Sequence, residues 1–576
     1  MKKKRLIQIL LILVALLIVG CQSGAESEPE VITETVVEQV EVEVTRIVEG
    51  EVVVETITEE VEVEVTRVVE VQAEEETETR PNVLRVAMDV PDFADPHRFH
   101  GRNINLLENI YEPLVYPFED TQEIRPVLAE SWDASEDGSV YTFTLHDGIT
   151  FHDGTPLTSA DVKFSFERMM DLGEALQEDE LNRVVQEIAI PDDQTVVFTI
   201  TPGGPPFLAV ICAVLIVSQD AIEANATDDD PWATEWMSQN SSGSGPYVLE
   251  SLQVGDSMRI VRFDDYWQGW EGDHVDEVLY LMIPEPSTQL LMLERGEVDI
   301  SFNVPLESIE TLRENPNLEI FQQRGNYLFY LRMNTHGGPL TDINLRKAFA
   351  HAFDYEAYIQ ARADYFPTDG PAPAHFLDGF RPEGLPEYDI ELAQEFYEAA
   401  GYGPDNPLSI TQFIVTGQDY QQVAAEIMQQ GMAQLGVEYN ILPGEFSPYY
   451  SGLLRYVNEG DESGYLDMFT LRMPSTIPDP VAFFTAYQTG SSLNMMGYSN
   501  PDVDALISQA LNTPDQAERN ALYQEAADII VEDYVDIWLG VERRTAVYDT
   551  EVQGFYSHPL WWPALHVYPI SLSNTE

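Results

Sequence analysis

Lysine is nearly absent from this chain of 576 residues: beyond the initial Lys2-Lys3-Lys4 only Lys163 and Lys347 occur. With 100 acidic against 29 basic residues the formal net charge is −71. A field of that sign repels polyanions and excludes nucleic acid as a partner. It favours neutral or cationic ligands unless arginines reverse it locally, and it equally describes a solvated surface suited to a salty medium. Cysteine is as scarce. Cys212 is the only thiol besides Cys21, so no disulfide framework exists, and its place in the apolar run 207–217 reads as a small buried hydrophobe. That run of eleven residues is too short to span a bilayer, which takes roughly 18 or more. A phosphate-cradling GxxxxGK[ST] loop, an HExxH helix and a GxSxG elbow are all missing. A secreted enzyme working through paired carboxylates has many acids to draw on, but no motif that positions two of them.

The chain begins with Lys2-Lys3-Lys4-Arg5, an apolar stretch over 6–19 broken only by Gln8, and Ile18-Val19-Gly20-Cys21. This reads as a lipoprotein signal peptide over 1–20, with Cys21 carrying the lipid and the mature protein on the extracytoplasmic face of the membrane. From 22 to 80 there are 19 Glu, three Arg and no aromatic residue, a composition that cannot build a core. Residues 21–80 are therefore expected to be an acidic tether. Val40-Glu41-Val42-Glu43-Val44-Thr45-Arg46 recurs as Val61 to Arg67, and two units are too few for a solenoid. A charge-extended stalk reaching about 200 Å is the expectation; Val/Thr alternation leaves a strand pair within it, or lateral association, open.

Residues 81–576 carry −59 of the charge and are long enough for about three domain-sized units. Tyr141, Phe143 and Leu145 alternate with Thr142, Thr144 and His146, the period of a half-buried strand. Asp137-Gly138, Asp147-Gly148 and Asp153-Gly154 punctuate it with tight turns. Thr158 and Asp161 form a capping-box pattern ahead of Val162, Phe164 and Phe166. Short strands run to about residue 200, a Gly-Ser junction covers 239–245, and helical patterns start near Leu345, Glu391 and Val423.

The order PVLAESW (126–132), DGSVYTFTL (137–145), FHDGTP (151–156) and ADVKFS (160–165) resembles the oligopeptide/dipeptide/nickel family of solute-binding proteins of ABC importers. Gly243-Ser244-Gly245-Pro246-Tyr247, Tyr266-Trp267, Gly296 to Ile300, and Leu345-Arg346-Lys347-Ala348 with Asp354 continue it; His146 stands where the family usually has a basic residue. The resemblance implies an α/β fold of two lobes, the periplasmic-binding-protein-like type II or Venus-flytrap arrangement, with an extra subdomain inserted in the first lobe. It places the first lobe at 81–327 and 541–576, the insert at about 110–235 and the second lobe at 328–540, with crossings near 326–334 and 539–545. A solute, most simply a peptide, would be captured between the lobes and handed to an ABC permease and its ATPase subunits by a monomer that needs no cofactor.

In peptide-binding members a Trp, and three residues later an Asp that pairs with the peptide amine, precede an Asp-Pro. Here Asp479-Pro480 is kept while Met473 and Thr476 stand at the other two positions. Thr476 cannot neutralise an ammonium, and a buried uncompensated charge costs several kcal/mol; Asp467 or Asp479 could take its role after a local shift. Gln418 stands near the carboxylate-binding Arg of dipeptide binders. Tyr420, Tyr449 and Tyr450 are candidates to stack a sugar or line a side-chain pocket, Phe446 reads as core, and Trp561-Trp562 fit either use. Arg472 suits an anionic group of the solute or a surface carboxylate equally. His97 and His100, with Asn103, lie in a loop that faces the cleft in the family; an HxxH without a third ligand reads as polar cleft lining, not as a metal site. His152 in the FHDG turn reads as structural. An oligosaccharide or another non-peptide solute fits the altered anchors as well, and a surface sensor or scaffold would keep the same fold.

Overall fold

The computed structural model describes residues 31–48, 51–68, 81–88, 90, 92–98, 107–117, 123–174, 178–201, 206–475, 477–557 and 564–573. The signal peptide, Cys21, His100, Asn103, Thr476 and Trp561-Trp562 lie outside them. The chain divides into two units, 1–78 and 79–576.

In the first unit Val31–Val48 and Glu51–Val68 pair as an antiparallel hairpin, Val31 opposite Val68 and Val48 opposite Glu51. The charge-extended stalk is thus replaced by the strand pair. Val and Thr at alternate positions suit a pleated backbone, and only Glu49-Gly50 separate the strands, the length of the commonest hairpin connection. A hairpin returns the chain to where it entered, so these residues add nothing to an extended reach.

The second unit is organised by an eleven-stranded mixed sheet. Its order on one side is Tyr247–Gln253, Ser257–Arg262, Glu277–Leu281, Val83–Ala87 and Ile300–Ser301. Asp536–Asp549 and Leu318–Met333 occupy the middle, Met468–Pro474, Ser409–Val415 and Glu438–Gly444 the other side, and the eleventh strand, Tyr365–Phe366, pairs with Asp536–Asp549 off this path. The two middle strands are long because each runs through both halves. Their pairing shifts register between Arg324 and Leu328, where a bulge bends the ribbon, so the chain crosses at 325–327 and returns near Val541–Arg543. Gly325 leaves room there for two side chains: a Cβ on it would lie within 2.5 Å of Glu542 Oε2 and of Arg544 Nε, which would have to shift. Beyond the bulge Arg332 grips Asp536 of the neighbouring strand through two bonds of 2.9 and 2.8 Å, while Tyr487 donates to the same carboxylate.

A separate four-stranded antiparallel sheet orders Ala129–Ala134, Val140–Leu145, Thr195–Ile200 and Val185–Asp192. Tyr141, Phe143 and Leu145 point inward, and Gly138, Gly148 and Gly154 hold φ of 65°, 78° and 84°, as the Asp-Gly spacing requires. The helix Ser159–Leu172 opens on its capping box, the Asp161 carboxylate accepting from the Thr158 N–H at 2.9 Å. Phe143, Phe166, Phe198 and Phe207 interlock with ring centroids 4.8 to 5.7 Å apart, and Cys212 is buried beside them. A second core gathers Phe329, Phe349, Tyr358, Ile410 and Met428. No helix among the described residues is long and apolar enough to cross a membrane.

A cavity at the strand crossing

The stretch Asn109-Ile110-Tyr111-Glu112 is clamped by the Gly243-Ser244-Gly245 junction. Gly245 donates to Ile110 O at 2.9 Å and Tyr247 to Asn109 O at 3.0 Å, and a Cβ on Gly243 would sit 2.0 Å from Ile110 O, so only glycine permits this approach. Glu112 is thereby buried and accepts from Tyr266 (2.8 Å), Ser244 (2.9 Å) and Trp267 (3.1 Å). Burial outweighs those three donors and pushes its carboxyl up to about 7. The Gly-Ser junction and the Tyr-Trp pair are therefore what fixes one wall of a cavity of about 940 Å³, inside the roughly 300–1,000 Å³ range of small-solute sites.

That wall carries Glu108, Glu112, Tyr116, Tyr266, His566 and Tyr568; the outward crossing strand supplies Phe321 to Arg324, and His375 comes from the chain beyond the crossing. Glu108 has 5% of its side chain exposed and accepts from the Tyr116 hydroxyl at 2.8 Å. His566 Nε2 lies 3.0 Å from that hydroxyl. Tyr116 has one proton and donates it to Glu108, so it accepts from His566. Desolvation holds Glu108 up at about 8 and His566 down at about 4; both groups are uncharged at neutral pH.

The crossing gives the cavity the opposite polarity. Arg324 binds Asp369 at 2.9 Å, Arg381 binds the same carboxylate at 2.9 Å, and Arg544 binds Glu542 at 2.8 Å, while Arg543 lies over the Phe366 ring at 4.3 Å. Four guanidiniums thus stand near two carboxylates around the crossing, and of the four Arg324 lines the cavity. His375 sits among them with both ring nitrogens shut off from solvent and no hydrogen-bond partner among the described residues. Burial first, then Arg544 and Arg324, press it down to about 3.

The candidates expected from sequence gather elsewhere. Gln418 follows one of two parallel strands, Ser409–Val415, and Tyr449 and Tyr450 follow the other, Glu438–Gly444, beyond the carboxyl ends where Thr416 N–H bonds Gly444 O at 2.9 Å, the edge at which open α/β sheets bind ligands. Gln418 precedes the helix Asp419–Leu435 and is exposed. Tyr449 stacks on Phe413 at 3.8 Å and Tyr450 on Phe446 at 5.4 Å. Arg472 is exposed, its guanidinium 5.2 Å above the Tyr327 ring, and no carboxylate among the described residues pairs with it. None of these lines the cavity.

Several expectations are corrected. Tyr420 and Met473 are buried in core packing, Tyr420 against Phe329 at 5.0 Å. Asp479 is fully buried and consumed by Arg519 at 2.8 Å and Val481 N–H at 2.9 Å. Asp467 is taken by Thr411 N–H and Tyr465. Neither acid is left for an amine. Phe446 is 42% exposed, not core. His97 is not cleft lining: Nε2 meets Leu215 O at 2.8 Å and Nδ1 meets Arg168 at 3.1 Å, beside a wholly buried Arg168–Asp95 pair. His152, by contrast, keeps to the structural reading, its Nε2 lying 3.0 Å from Gly245 O. The signal sequence reading missed was Glu108, an acid one residue ahead of the glycine-clamped stretch.

The family model for bacterial extracellular solute-binding proteins, family 5 Middle, matches residues 123–494. The dipeptide-binding protein DppE of Bacillus subtilis is 26% identical over 501 residues, 81% of this chain and 88% of that protein. The structure of HbpA2 from Haemophilus parasuis superposes with a TM-score of 0.75 at 23% identity, over 85% of this chain and all of that one. The periplasmic binding protein DppA from Helicobacter pylori, in complex with the peptide STSA, gives a TM-score of 0.64 at 25% identity, over 86% and 98%. The eleven-stranded sheet with its two crossing strands is accordingly the two-lobed type II arrangement with an inserted subdomain, and the chain belongs to family 5 of the bacterial extracellular solute-binding proteins.

Proposed function

We propose that this chain is the solute-binding component of an ABC importer and that it captures a peptide in the cavity at the strand crossing. Its first lobe would comprise 81–327 and 541–576, and its second 328–540. Closure of the lobes over the solute creates the shape that the permease, with its ATPase subunits, recognises. A lipid on Cys21 would hold the protein, as a monomer, at the extracytoplasmic face of the membrane, with 21–80 as the connection. One observation supports a peptide above the rest: the cavity is lined by a carboxyl with an open valence, Glu108, and by a guanidinium, Arg324, beside the unpartnered His375, which suits a solute carrying both an amine and a carboxylate. The peptide-bound relative and the dipeptide-binding relative agree in substrate class.

A second reading, a neutral oligosaccharide, is favoured by the exposed, uncharged Gln418 beside Tyr449 and Tyr450. Thermal-shift titration of the full chain with di- to tetrapeptides and with oligosaccharides separates the two. A ligand at 100 times its Kd adds about 2.7 kcal/mol of stability, and stabilisation by peptides alone is the outcome expected. Stabilisation by sugars alone would transfer the reading to the second class. Loss of peptide uptake on deletion of the gene distinguishes an importer component from a surface scaffold.

A further inference from the structure

Both charges that recognise peptide termini in the resembling family are altered here, at Thr476 and Gln418, and the nearby acids Asp467 and Asp479 are consumed by internal partners. The cavity nonetheless contains a carboxyl with unused capacity. One oxygen of Glu108, Oε2, accepts from Tyr116, while Oε1 has no partner among the described residues, and the side chain lines the cavity. No arginine or lysine among the described residues pairs with it. The independent mark of a solute position in the same cavity is His375, whose two buried ring nitrogens have no hydrogen-bond partner among the described residues. Buried polar groups in native proteins are almost always satisfied, so the two orphaned nitrogens of His375 mark where a partner belongs in the cavity that Glu108 also lines.

We infer that Glu108, backed by Tyr116 and His566, is the anchor for the ammonium group of the bound solute, replacing the carboxylate that Thr476 cannot supply. This rests on the cavity being the solute site. An ammonium ion brought within hydrogen-bond distance of Oε1 stabilises the carboxylate form, and the Tyr116 hydroxyl remains a donor to Oε2. The described groups near Glu108 are Tyr116, His566, Tyr556, Cys212 and Glu112, and Arg324 and His375 line the same cavity. The only cations in that set lie at the crossing, so the carboxyl is protonated before binding and ionised after it. Capture of an ammonium ion therefore expels the Glu108 proton to solvent; no bond other than O–H breaks. The carboxylate of the same solute meets His375 and the Arg324 guanidinium.

The test is calorimetric titration of the full chain, at pH 7 in two buffers of different ionisation heat, with di- to tetrapeptides as free amines and as N-acetyl derivatives. Wild type is compared with Glu108→Gln, which keeps size and the bond from Tyr116, and with Val127→Trp, which fills the cavity. The expected result is binding of free-amine peptides with close to one proton released. Glu108→Gln should weaken it at least about tenfold, the size of one lost charge-assisted contact, and abolish proton release. N-acetyl peptides should bind both proteins equally weakly. If free and acetylated peptides bind wild type and Glu108→Gln alike while Val127→Trp abolishes binding, the role of Glu108 is overturned and the cavity stands. If Val127→Trp, folded by circular dichroism, binds as wild type does, the cavity reading itself is overturned.

Discussion

Asp479 and Glu108 are both carboxyls sealed within the same unit, and they differ in what their oxygens meet. Asp479 lies where the second half of the sheet ends, with one oxygen on the Arg519 guanidinium and the other on a backbone N–H. Glu108 lies on the cavity wall with one oxygen on a phenol and the other open. The first is a structural ion pair whose charge is neutralised before any solute arrives. The second is a carboxyl that desolvation keeps protonated, and only a cation from outside restores its charge. Residue type therefore says little about a binding role in this fold; unsatisfied valence beside a cavity says much more.

The comparison breaks most visibly at Asp479. Asp479→Ala strands Arg519 as an uncompensated buried charge and should cost about 3–5 kcal/mol in urea denaturation, with peptide affinity unchanged below the transition. A loss under about 1 kcal/mol would show that the pair is not structural.

The pH dependence of stability sharpens the other half. Glu108 and Glu112 have folded pKa values raised to about 8 and about 7 from an ordinary 4.5. The folded state holds their protons where the unfolded state has lost them. Their stabilisation is complete below about pH 4.5 and disappears as pH rises to about 8, by at most about 1.4 kcal/mol per pH unit for each group. His97 and His566, both lowered to about 4 from 6.5, act in the reverse sense, and stability falls as pH drops from about 6.5 to about 4. Thermal melts should fall off on both sides. Glu108→Gln should remove the decline between pH 7 and 8 while leaving the acid side intact; an unchanged alkaline decline would mean that Glu108 is ionised in the empty protein.

Gly325→Ala tests the positive side of the cavity. Its Cβ would displace the ends of the Glu542 and Arg544 side chains, which are flexible, so a loss of about 1 kcal/mol is expected. Peptide affinity should fall by more than that, because Arg544 moves with the displacement. Arg455→Ala is the control with the smallest effect: its pair with Asp461 has side chains 49% and 39% exposed, and such pairs contribute under about 1 kcal/mol.

Much of the scaffold was legible in sequence because its signals are local. The Asp-Gly turns, the period-2 burial of Tyr141 to Leu145 and the Thr158–Asp161 cap each depend on residues a few positions apart. The glycines of 243–245 announced a junction, but not that Ile110 would press against them. The site was harder for the same reason. Tyr116 and His566 are 450 residues apart in the chain, so nothing near Glu108 marked it as buried. His97 looked free for the cleft because its captors, Arg168 and Leu215, lie far along the sequence. The crossing arginines appear in two separate stretches, 324 and 543–544, and only strand pairing brings them together. The acidic repeat was legible as a repeat, whereas its pairing depended on a connection of two residues.

The most direct measurement is the crystal structure of the full chain with its tightest-binding di- to tetrapeptide. The account predicts the peptide in the 940 Å³ cavity, its ammonium group within hydrogen-bond distance of Glu108 and its carboxylate toward Arg324 and His375. A peptide held instead at the Gln418–Tyr449 strand ends, with Glu108 untouched, would contradict it.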